Sequence, residues 1–437
     1  MKHRRSNTPA SRPAKSAVVE IEKPIYGGAF LARMEGKATF VPLTLPGEQA
    51  RIRIVEDKRS YATAEPDGII SSSSSRVQPL CLHFGACGGC SYQHSDYTSQ
   101  LAIKQQILSE TLQRGGVQPP EKIDVLAGEP WSYRNRIRVA MDASGRVGYR
   151  ERRSHAILPI AECPIAAPLL VRAALRAAEV LRNSRPAFSA KEISLFCDSR
   201  ESELLCSVFV SGGASKGFEN FVAAWKERVP ELAGVECLDA GTGADSSRQI
   251  GGWGAKSIRY GANNFQYRVD HGAFFQVNRW LIDSLVDRVV RDQQGKLAWD
   301  LFAGVGLFAR QLTARFDEVI AVESAPSATE ALADNLRETG GRSVSADTLS
   351  FLKSRTTATT PDLIVVDPPR AGLGPEVTSL LGNIGSSTLV YVSCDPATLA
   401  RDLRVLLGNG YAIANVTLAD LFPQTFHLET VVTLHRS

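Results

Sequence analysis

One cysteine stands where a predicted strand ends and a predicted helix begins. In VYVSCDPATLARDL, Cys394 follows an apolar β-rich run, Asp395 suits a helix N-cap and Pro396 suits the first helical position. The positive end of a helix dipole lowers the pKa of a nearby thiol, and a thiolate is a strong nucleophile. Free cysteines are also among the most buried residue types, so the segment alone allows a structural role as well.

Four other cysteines have the spacing of metal ligands. Cys81, Cys87 and Cys90 form C-x5-C-x2-C in CLHFGACGGC, and Cys163 follows in AECPI. Such spacing in a reducing compartment generally indicates metal, and a proline after the last cysteine is typical of ferredoxins. The pattern favours an iron–sulfur cluster, although four thiolates suit zinc as well. The remaining three cysteines lie in apolar stretches and are predicted to be core residues: Cys197, Cys206 and Cys237.

A glycine-rich turn in LAWDLFAGVGLF predicts a pocket for a nucleotide cofactor. Gly304 and Gly306 let the backbone pass close to a ligand, and Glu323, at the end of the next predicted strand, suits a ribose diol. NAD and S-adenosylmethionine fit this pattern equally. Asp367 ends another apolar strand in LIVVDPPR. Because the carboxyl ends of parallel strands form the binding crevice, these carboxylates and Cys394 together predict an enzyme site.

The elements that must position these residues fall into three parts behind a basic tail at residues 1–16. Short strands with turn signals at 17–76 predict a small barrel. Residues 77–271 predict a central α/β part, with a helix near 97–114 and a hairpin at 131–160. Strands and helices alternate through 272–437, which predicts a parallel sheet covered by helices.

Positive charge is concentrated in two segments, although the net charge is only +4. Residues 1–15 contain five Lys and Arg and no acid, and residues 131–160 contain seven Arg and two acids. Arg134, Arg136 and Arg138 alternate along one predicted strand, so they are expected to share a face and to contact phosphates. This favours a nucleic-acid partner, with solvated charged faces as the alternative. No apolar run approaches the ~18 residues of a membrane span, and the tail suits a transit peptide or a disordered polyanion-binding segment.

Taken together, the motifs resemble those of the RNA (uracil-5-)-methyltransferases over nearly the whole chain. YGGAFLARMEGKATFVPLTLPGE is similar to a TRAM domain, and CLHFGACGGCSYQ with ECPI is similar to that family's four-cysteine iron–sulfur site. The family's other motifs follow in order: YRNRIRV, FFQVN, DLFAGVG, DPPRAGL, SCDPATLARDL and HLETVVTL. A TRAM domain combined with the cluster most resembles the branch that modifies large-subunit ribosomal RNA.

The resemblance implies an α/β protein built from three domains. These are an N-terminal OB-like TRAM β-barrel, a central α/β domain with an iron–sulfur site, and a C-terminal Rossmann-like S-adenosylmethionine methyltransferase domain. The implied activity is methyl transfer from S-adenosylmethionine to C5 of a uridine in RNA, most simply 23S ribosomal RNA. The target base is expected to leave its stack. We also expect a cytoplasmic location and no obligate protein partner.

The same resemblance assigns roles to residues. Cys394 would add to uracil C6, and Glu429 of HLETV would remove the C5 proton, with His427 a weaker candidate for that base. The cofactor pocket would be lined by Gln276, Phe302, Leu307, Glu323, Asp347 and Asp367. A structural [4Fe-4S] cluster would be held by Cys81, Cys87, Cys90 and Cys163.

Two positions depart from the family pattern, and two alternative functions stay open. Ala303 replaces a usual cysteine, and Asp395 replaces the usual asparagine after the nucleophile. Because a negative charge beside a thiolate raises its pKa, we expect Asp395→Asn to keep or improve activity. The alternatives are the same chemistry on transfer RNA and an iron–sulfur dinucleotide oxidoreductase.

Overall fold

The computed structural model of the chain describes residues 15–213, 215–239, 248–355 and 360–436. The basic tail predicted for residues 1–16 therefore lies almost entirely outside the described residues. None of the helices in these ranges combines the length and the apolar character needed to cross a membrane.

The N-terminal strands close into a five-stranded barrel in the order β1-β2-β3-β5-β4. They are β1 (Ser16–Pro24), β2 (Ala29–Met34), β3 (Lys37–Pro42), β4 (Gln49–Asp57) and β5 (Tyr61–Ser71). Side chains alternate between the inside and the outside of the barrel, as expected for strands with one buried face. Phe30, Val41 and Ile52 fill the interior and are completely buried. The barrel confirms the fold predicted for this part of the chain.

A seven-stranded sheet forms the centre of the chain, in the order β13-β12-β11-β10-β7-β8-β9. Its strands are β7 (Arg136–Met141), β8 (Val147–Arg150), β9 (Ile157–Pro159), β10 (Ser189–Cys197), β11 (Leu204–Ser211), β12 (Leu232–Asp239) and β13 (Arg248–Gly254). Helices α2 (Pro168–Ser184) and α3 (Phe218–Arg228) contribute apolar faces to its core. β7 and β8 form the predicted hairpin. Cys197, Cys206 and Cys237 are buried in this core, as predicted.

The C-terminal sheet is mainly parallel and has the order β18-β17-β16-β19-β20-β22-β21-β6. Its strands are β6 (Asp124–Leu126), β16 (Gly295–Leu301), β17 (Phe316–Glu323), β18 (Gly341–Ser345), β19 (Leu363–Val366), β20 (Thr388–Ser393), β21 (Tyr411–Ala419) and β22 (Glu429–Arg436). The helices are α4 (Ile282–Val290), α5 (Leu307–Leu312), α6 (Pro326–Asn335), α7 (Thr348–Ser354), α8 (Gly374–Ile384) and α9 (Pro396–Gly408). Strands β16 to β20 pair in parallel, as the alternating pattern predicts, and the antiparallel pair β21–β22 closes the sheet.

Several elements from residues 77–271 pack on the C-terminal sheet rather than on the central one. Helix α1 (Tyr97–Arg114) has the predicted position, and its buried face packs against α9. β6 extends the C-terminal sheet beside β21. The hairpin of β14 (Ser257–Ala262) and β15 (Phe265–Asp270) shares a core with α4 and α5. One apolar core runs from the barrel through α1 to the C-terminal sheet, and this links the three parts.

Candidate active site

Cys394 and Glu429 come together at one end of the C-terminal sheet. Strand β20 is antiparallel to β22, their last pair is Ser393 opposite Thr430, and Cys394 and Glu429 are the residues that adjoin this pair. Cys394 is half-buried, whereas Glu429 is only 4% exposed. Because β20 is parallel to its other neighbour β19, both residues lie at the carboxyl edge of the parallel strands. The two residues to which the sequence gives catalytic roles are therefore neighbours.

The buried surroundings of the site shift the pKa values of its thiol and carboxyl groups upwards. Burial raises the pKa of Cys394 to about 12, with further contributions from the carboxylates of Glu429 and Asp367. Burial, followed by the charge of Asp367, also raises the pKa of Glu429 well above its usual range. The guanidinium of Arg370 opposes both shifts. The lowering of the Cys394 pKa that the helix dipole predicts is therefore wrong.

Burial and the neighbouring carboxylates outweigh the helix dipole, and the capping of α9 leaves that dipole little effect on the thiol. Asp395 is the predicted N-cap, and its Oδ1 accepts hydrogen bonds from the backbone N–H groups of Ala397 and Thr398, each at 3.0 Å. Pro396 at the first helical position has no N–H to offer. The first donors of the helix are therefore satisfied by a carboxylate, and the thiol of Cys394 gains little from the helix dipole.

The glycine-rich turn connects β16 to α5 and contacts the end of β17. Phe302, Gly304 and Gly306 have φ angles of +65°, +56° and +88°, in the left-handed region that suits glycine. The backbone N–H of Gly304 donates to Oε2 of Glu323 at 2.8 Å. The other carboxylate oxygen of Glu323 accepts from Ser324 N at 2.7 Å and Ala325 N at 2.6 Å. Glu323 is thus held rigidly at the mouth of the turn.

A second group of polar side chains lies beside this turn. Nε2 of Gln276 is 3.4 Å from Oδ2 of Asp367, at the end of β19. Asp300 in β16 accepts from Ala309 N at 2.8 Å, and its other oxygen is buried without a hydrogen-bond partner. Burial raises the pKa of Asp300 to about 8, with smaller contributions from Asp367 and Glu323. Asp300, Glu323, Asp367 and Gln276 therefore surround one crevice.

The other predicted cofactor residues have mixed environments. Phe302 lies in the turn itself, half-buried, and Leu307 starts α5 and is buried. Asp347 is exposed and caps α7 through a hydrogen bond from Ser350 N at 2.9 Å. The backbone bond from Ala346 N to Glu323 O, at 3.0 Å, places Asp347 at the same sheet edge.

Comparisons with known proteins show to which family this chain belongs. The family model "tRNA (Uracil-5-)-methyltransferase" matches residues 352–437, and the TRAM domain model matches residues 17–66. A 23S rRNA (uracil(1939)-C(5))-methyltransferase, RlmD, from Azoarcus sp. is 33% identical over 95% of this chain and 99% of its own length. The chain belongs to the RNA (uracil-5-)-methyltransferases. The activity is therefore S-adenosylmethionine-dependent methylation of uracil C5 in RNA, and a dinucleotide oxidoreductase is not supported.

Further matches agree with this family. An uncharacterized RNA methyltransferase of Streptomyces avermitilis is 32% identical over 95% of this chain and 97% of its own length. The crystal structure of Pyrococcus abyssi tRNA (uracil-54, C5)-methyltransferase with S-adenosyl-L-homocysteine superposes with a TM-score of 0.78. That structure is 24% identical and covers 95% of this chain and 99% of its own, so it shows the common fold.

Four cysteines of this methyltransferase line one cavity of about 320 Å³. Burial raises the pKa of Cys90 to about 12, and burial also raises the pKa values of Cys81 and Cys87. In all three, the charge of Cys163 adds to the shift, so the four thiols are neighbours. Within the described ranges, no three His, Cys, Asp or Glu side chains are close enough to hold one metal ion. This geometry does not support the iron–sulfur site, which stays a prediction.

The arginine row of this methyltransferase does not form the free phosphate-binding face that the sequence predicts. Arg134 lies in the cysteine cavity, near the rings of Tyr133 and Phe422. Arg136 lies 4.3 Å from the ring centre of Phe196 and donates to a backbone carbonyl, and burial lowers its pKa to about 10. The prediction is wrong for these two residues because aromatic faces and carbonyl groups make their burial tolerable. Arg138 is exposed but forms an ion pair with a glutamate.

Two residues near the nucleophile are absent from the sequence-based set. Nη2 of Arg370 is 3.1 Å from Nδ1 of His427, and burial lowers the pKa of His427 to about 4. Arg370 directly follows the two prolines after Asp367, so its position next to a predicted strand end was a usable signal. Tyr26 of the barrel is the second, and local sequence offers no signal for it. In the FFQVN motif, Phe275 is buried and Phe274 is 63% exposed.

Proposed function

We propose that this methyltransferase modifies C5 of a specific uridine in 23S ribosomal RNA through a covalent adduct between Cys394 and uracil C6. The observation that supports the chemistry is the proximity of Cys394 to Glu429 at the carboxyl edge of the sheet. The choice of RNA is supported by two relatives named as 23S rRNA (uracil(1939)-C(5))-methyltransferases, which are 33% and 32% identical. A cytoplasmic location accompanies this choice.

In the proposed reaction, Cys394 is the nucleophile and Glu429 is the base that removes the C5 proton. Sγ of Cys394 bonds to C6 while its proton leaves to a neighbouring carboxylate, and the electron pair of the C5–C6 double bond forms an enolate. C5 then attacks the sulfonium methyl group, and the sulfonium C–S bond breaks to release S-adenosylhomocysteine. Glu429 removes the C5 proton, the double bond reforms and the thiolate leaves. The positive sulfonium beside Asp367 and Glu429 would favour the thiolate of Cys394.

We propose that the crevice around the glycine-rich turn binds S-adenosylmethionine. Glu323 would hold the ribose diol, and Gln276 and Asp367 would contact the polar end of the donor. Phe302 and Leu307 would provide apolar contacts, and Asp347 would reach the adenine edge of the crevice.

We also propose that Cys81, Cys87, Cys90 and Cys163 hold a [4Fe-4S] cluster with a structural role. The donor set suits iron–sulfur chemistry, because four thiols share one largely apolar cavity and the backbone N–H of Gly89 points to Sγ of Cys87 at 3.4 Å. The cluster would cross-link the cysteine loop to the segment before α2. Iron and sulfide analysis of protein purified without oxygen tests this proposal, and a preparation that contains zinc instead would contradict it.

The alternative substrate is transfer RNA. It is supported by the family model that matches residues 352–437, which describes enzymes acting on tRNA.

The test is methylation of total RNA with labelled S-adenosylmethionine, followed by separation of ribosomal and transfer RNA and mapping of the labelled nucleotide. We expect label in 23S RNA for the wild type and none for Cys394→Ser. Cys237→Ala, a core cysteine of the central sheet, serves as the matched control and should retain activity. Glu429→Gln should accumulate a protein–RNA adduct, because the C5 proton is not removed. Label confined to transfer RNA would reject the 23S assignment, and activity in Cys394→Ser would reject the covalent mechanism.

A further inference from the structure

The residue before β7 is bonded both to the central sheet and to the loop that carries Gln276. The backbone N–H of Asn135 donates at 3.0 Å to the carbonyl of Val277, which directly follows Gln276. The carbonyl of Asn135 accepts from the N–H of Cys197 at the end of β10, also at 3.0 Å. Asn135 therefore stands between the central sheet and the FFQVN loop, whose glutamine lies in the crevice proposed to bind S-adenosylmethionine.

The side chain of Asn135 is bonded to the same loop. It is completely buried, and its Nδ2 donates to the carbonyl of Gln276 at 2.9 Å and to the hydroxyl of Tyr260 at 3.1 Å. The nitrogen must be the atom on this side, because the Gln276 carbonyl can only accept. Among the described residues, Oδ1 of Asn135 has no hydrogen-bond partner. Burying an amide oxygen without a partner costs free energy, so stability alone does not account for an asparagine at this position.

Gln276 extends this connection into the crevice. Its side chain is 6% exposed, and its Nε2 is 3.4 Å from Oδ2 of Asp367, at the end of β19. Because a glutamine side chain has several rotamers, the place of its amide group depends on where its backbone is held. The bond from Asn135 fixes that backbone at the residue whose side chain reaches Asp367.

We propose that Asn135 is a positioning residue that holds Gln276 in place for the polar end of S-adenosylmethionine. The inference rests on the proposed function, in which Gln276 contacts the donor. Without the amide of Asn135, the Gln276 carbonyl is left unpaired in buried surroundings, and the loop is expected to shift. The central sheet would then take part in donor binding, although all the proposed donor contacts lie in residues 272–437.

The test measures binding of S-adenosylhomocysteine by isothermal titration calorimetry to the wild type, Asn135→Leu, Gln276→Ala and the double variant. Leucine has nearly the shape of asparagine but cannot donate, and the backbone bond from residue 135 to Val277 remains. We expect Asn135→Leu to raise Kd about 3- to 10-fold, the range for one hydrogen bond. In the Gln276→Ala background the same change should alter Kd less than about twofold, because the side chain that Asn135 positions is gone.

Tyr260→Phe is the matched control. It removes the other partner of the Asn135 amide and keeps the ring, which packs on Phe275 with ring centres 4.5 Å apart. Its Kd for S-adenosylhomocysteine should stay within about twofold of the wild type. In methylation assays, Asn135→Leu should raise KM for S-adenosylmethionine more than it lowers kcat, whereas a general loss of structure would lower kcat first.

Urea denaturation shows whether Asn135→Leu is folded, and Asn135→Ala takes its place in the same comparison if it is not. An unchanged Kd in the folded Asn135 variant would overturn the proposal, as would an equal loss of affinity in both backgrounds. If Gln276→Ala weakens binding and the Asn135 variant does not, the proposed donor site stands and only the role of Asn135 is rejected. A wild type that does not bind S-adenosylhomocysteine, or a Gln276→Ala variant that binds it unchanged, would reject the proposed donor site and this inference with it.

Discussion

Replacing Lys104 by methionine is expected to destabilise the protein strongly. Nζ of Lys104 in α1 is 2.5 Å from Oδ1 of Asp420, and both side chains are completely buried. The same ammonium donates to the carbonyl of Phe422 at 2.9 Å. Asp420 lies in the segment between β21 and β22 that leads to Glu429, so this ion pair fixes α1 to the segment that positions the predicted base.

The size of the effect follows from the burial of the pair. Removing one partner of a buried ion pair leaves an uncompensated charge and typically costs about 3 to 5 kcal/mol. The chain contains a matched comparison, because Lys353 and Glu376 form an ion pair at 2.6 Å with side chains 55% and 59% exposed. Such exposed pairs contribute about 0 to 1 kcal/mol. The same Lys-to-Met change should therefore have very different effects at the two positions.

Urea denaturation, followed by both circular dichroism and tryptophan fluorescence, measures the difference. We expect Lys104→Met to lower the free energy of unfolding by about 3 kcal/mol or more and Lys353→Met by less than about 1 kcal/mol. The double variant Lys104→Met with Asp420→Leu should recover much of the loss, because no buried charge is left unpaired. Equal losses in the two single variants would refute the reasoning from burial.

Three further predictions follow from the charges of the site and the barrel. The rate of methylation at saturating RNA should increase with pH between 7 and 9, because the raised pKa of Cys394 keeps the thiol protonated, and a rate that is flat over this range would contradict this. Asp395→Asn should keep both activity and helix stability, since asparagine also caps helices and the carboxylate of Glu429 is the main charge acting on Cys394; a large loss of kcat would contradict this. Burial lowers the pKa of His94 from 6.5 to about 4, so its contribution to stability is present above pH 6.5 and declines as the pH falls towards 4. Unfolding titrations should show about 2 kcal/mol of this loss by pH 5 in the wild type and less in His94→Gln, whose amide can still donate to the Thr44 carbonyl.

The sequence predicts those features whose signals are local. The helix at 97–114, the hairpin of β7 and β8, and the strand–helix junction at Cys394 are each encoded by a short run of apolar residues with a cap or turn beside it. The shared direction of β16 to β20 follows from alternation, because a helix between two strands of one sheet returns the chain so that both strands run the same way. Cys394 could be named from its own strand–helix segment, whereas Glu429 could be named only from the resemblance of HLETVVTL to the family's motif.

The features that the sequence does not predict depend on contacts between distant segments. β6 joins the C-terminal sheet although it lies far from β21 in the chain, and three residues carry too little pattern to show which sheet they enter. Arg136 was expected to stay exposed because burial of an isolated guanidinium is costly, and the cost is reduced by Phe196 and a carbonyl from another part of the chain. Tyr26 contacts Phe426 only because the barrel is packed against the catalytic end of the sheet.

The pKa of Cys394 also depends on contacts between distant segments, which the local sequence does not show. The argument from the helix dipole considers only the residues that follow Cys394 in the chain, and it predicts a lowered pKa. In the folded protein the larger influences are burial and the carboxylates of Glu429 and Asp367, which come from two other strands. Arg370 provides the opposing positive charge in the same place. The reactivity of Cys394 is therefore set by groups at three neighbouring strand ends. A positively charged methyl donor bound among them would offset the two carboxylates and stabilise the thiolate.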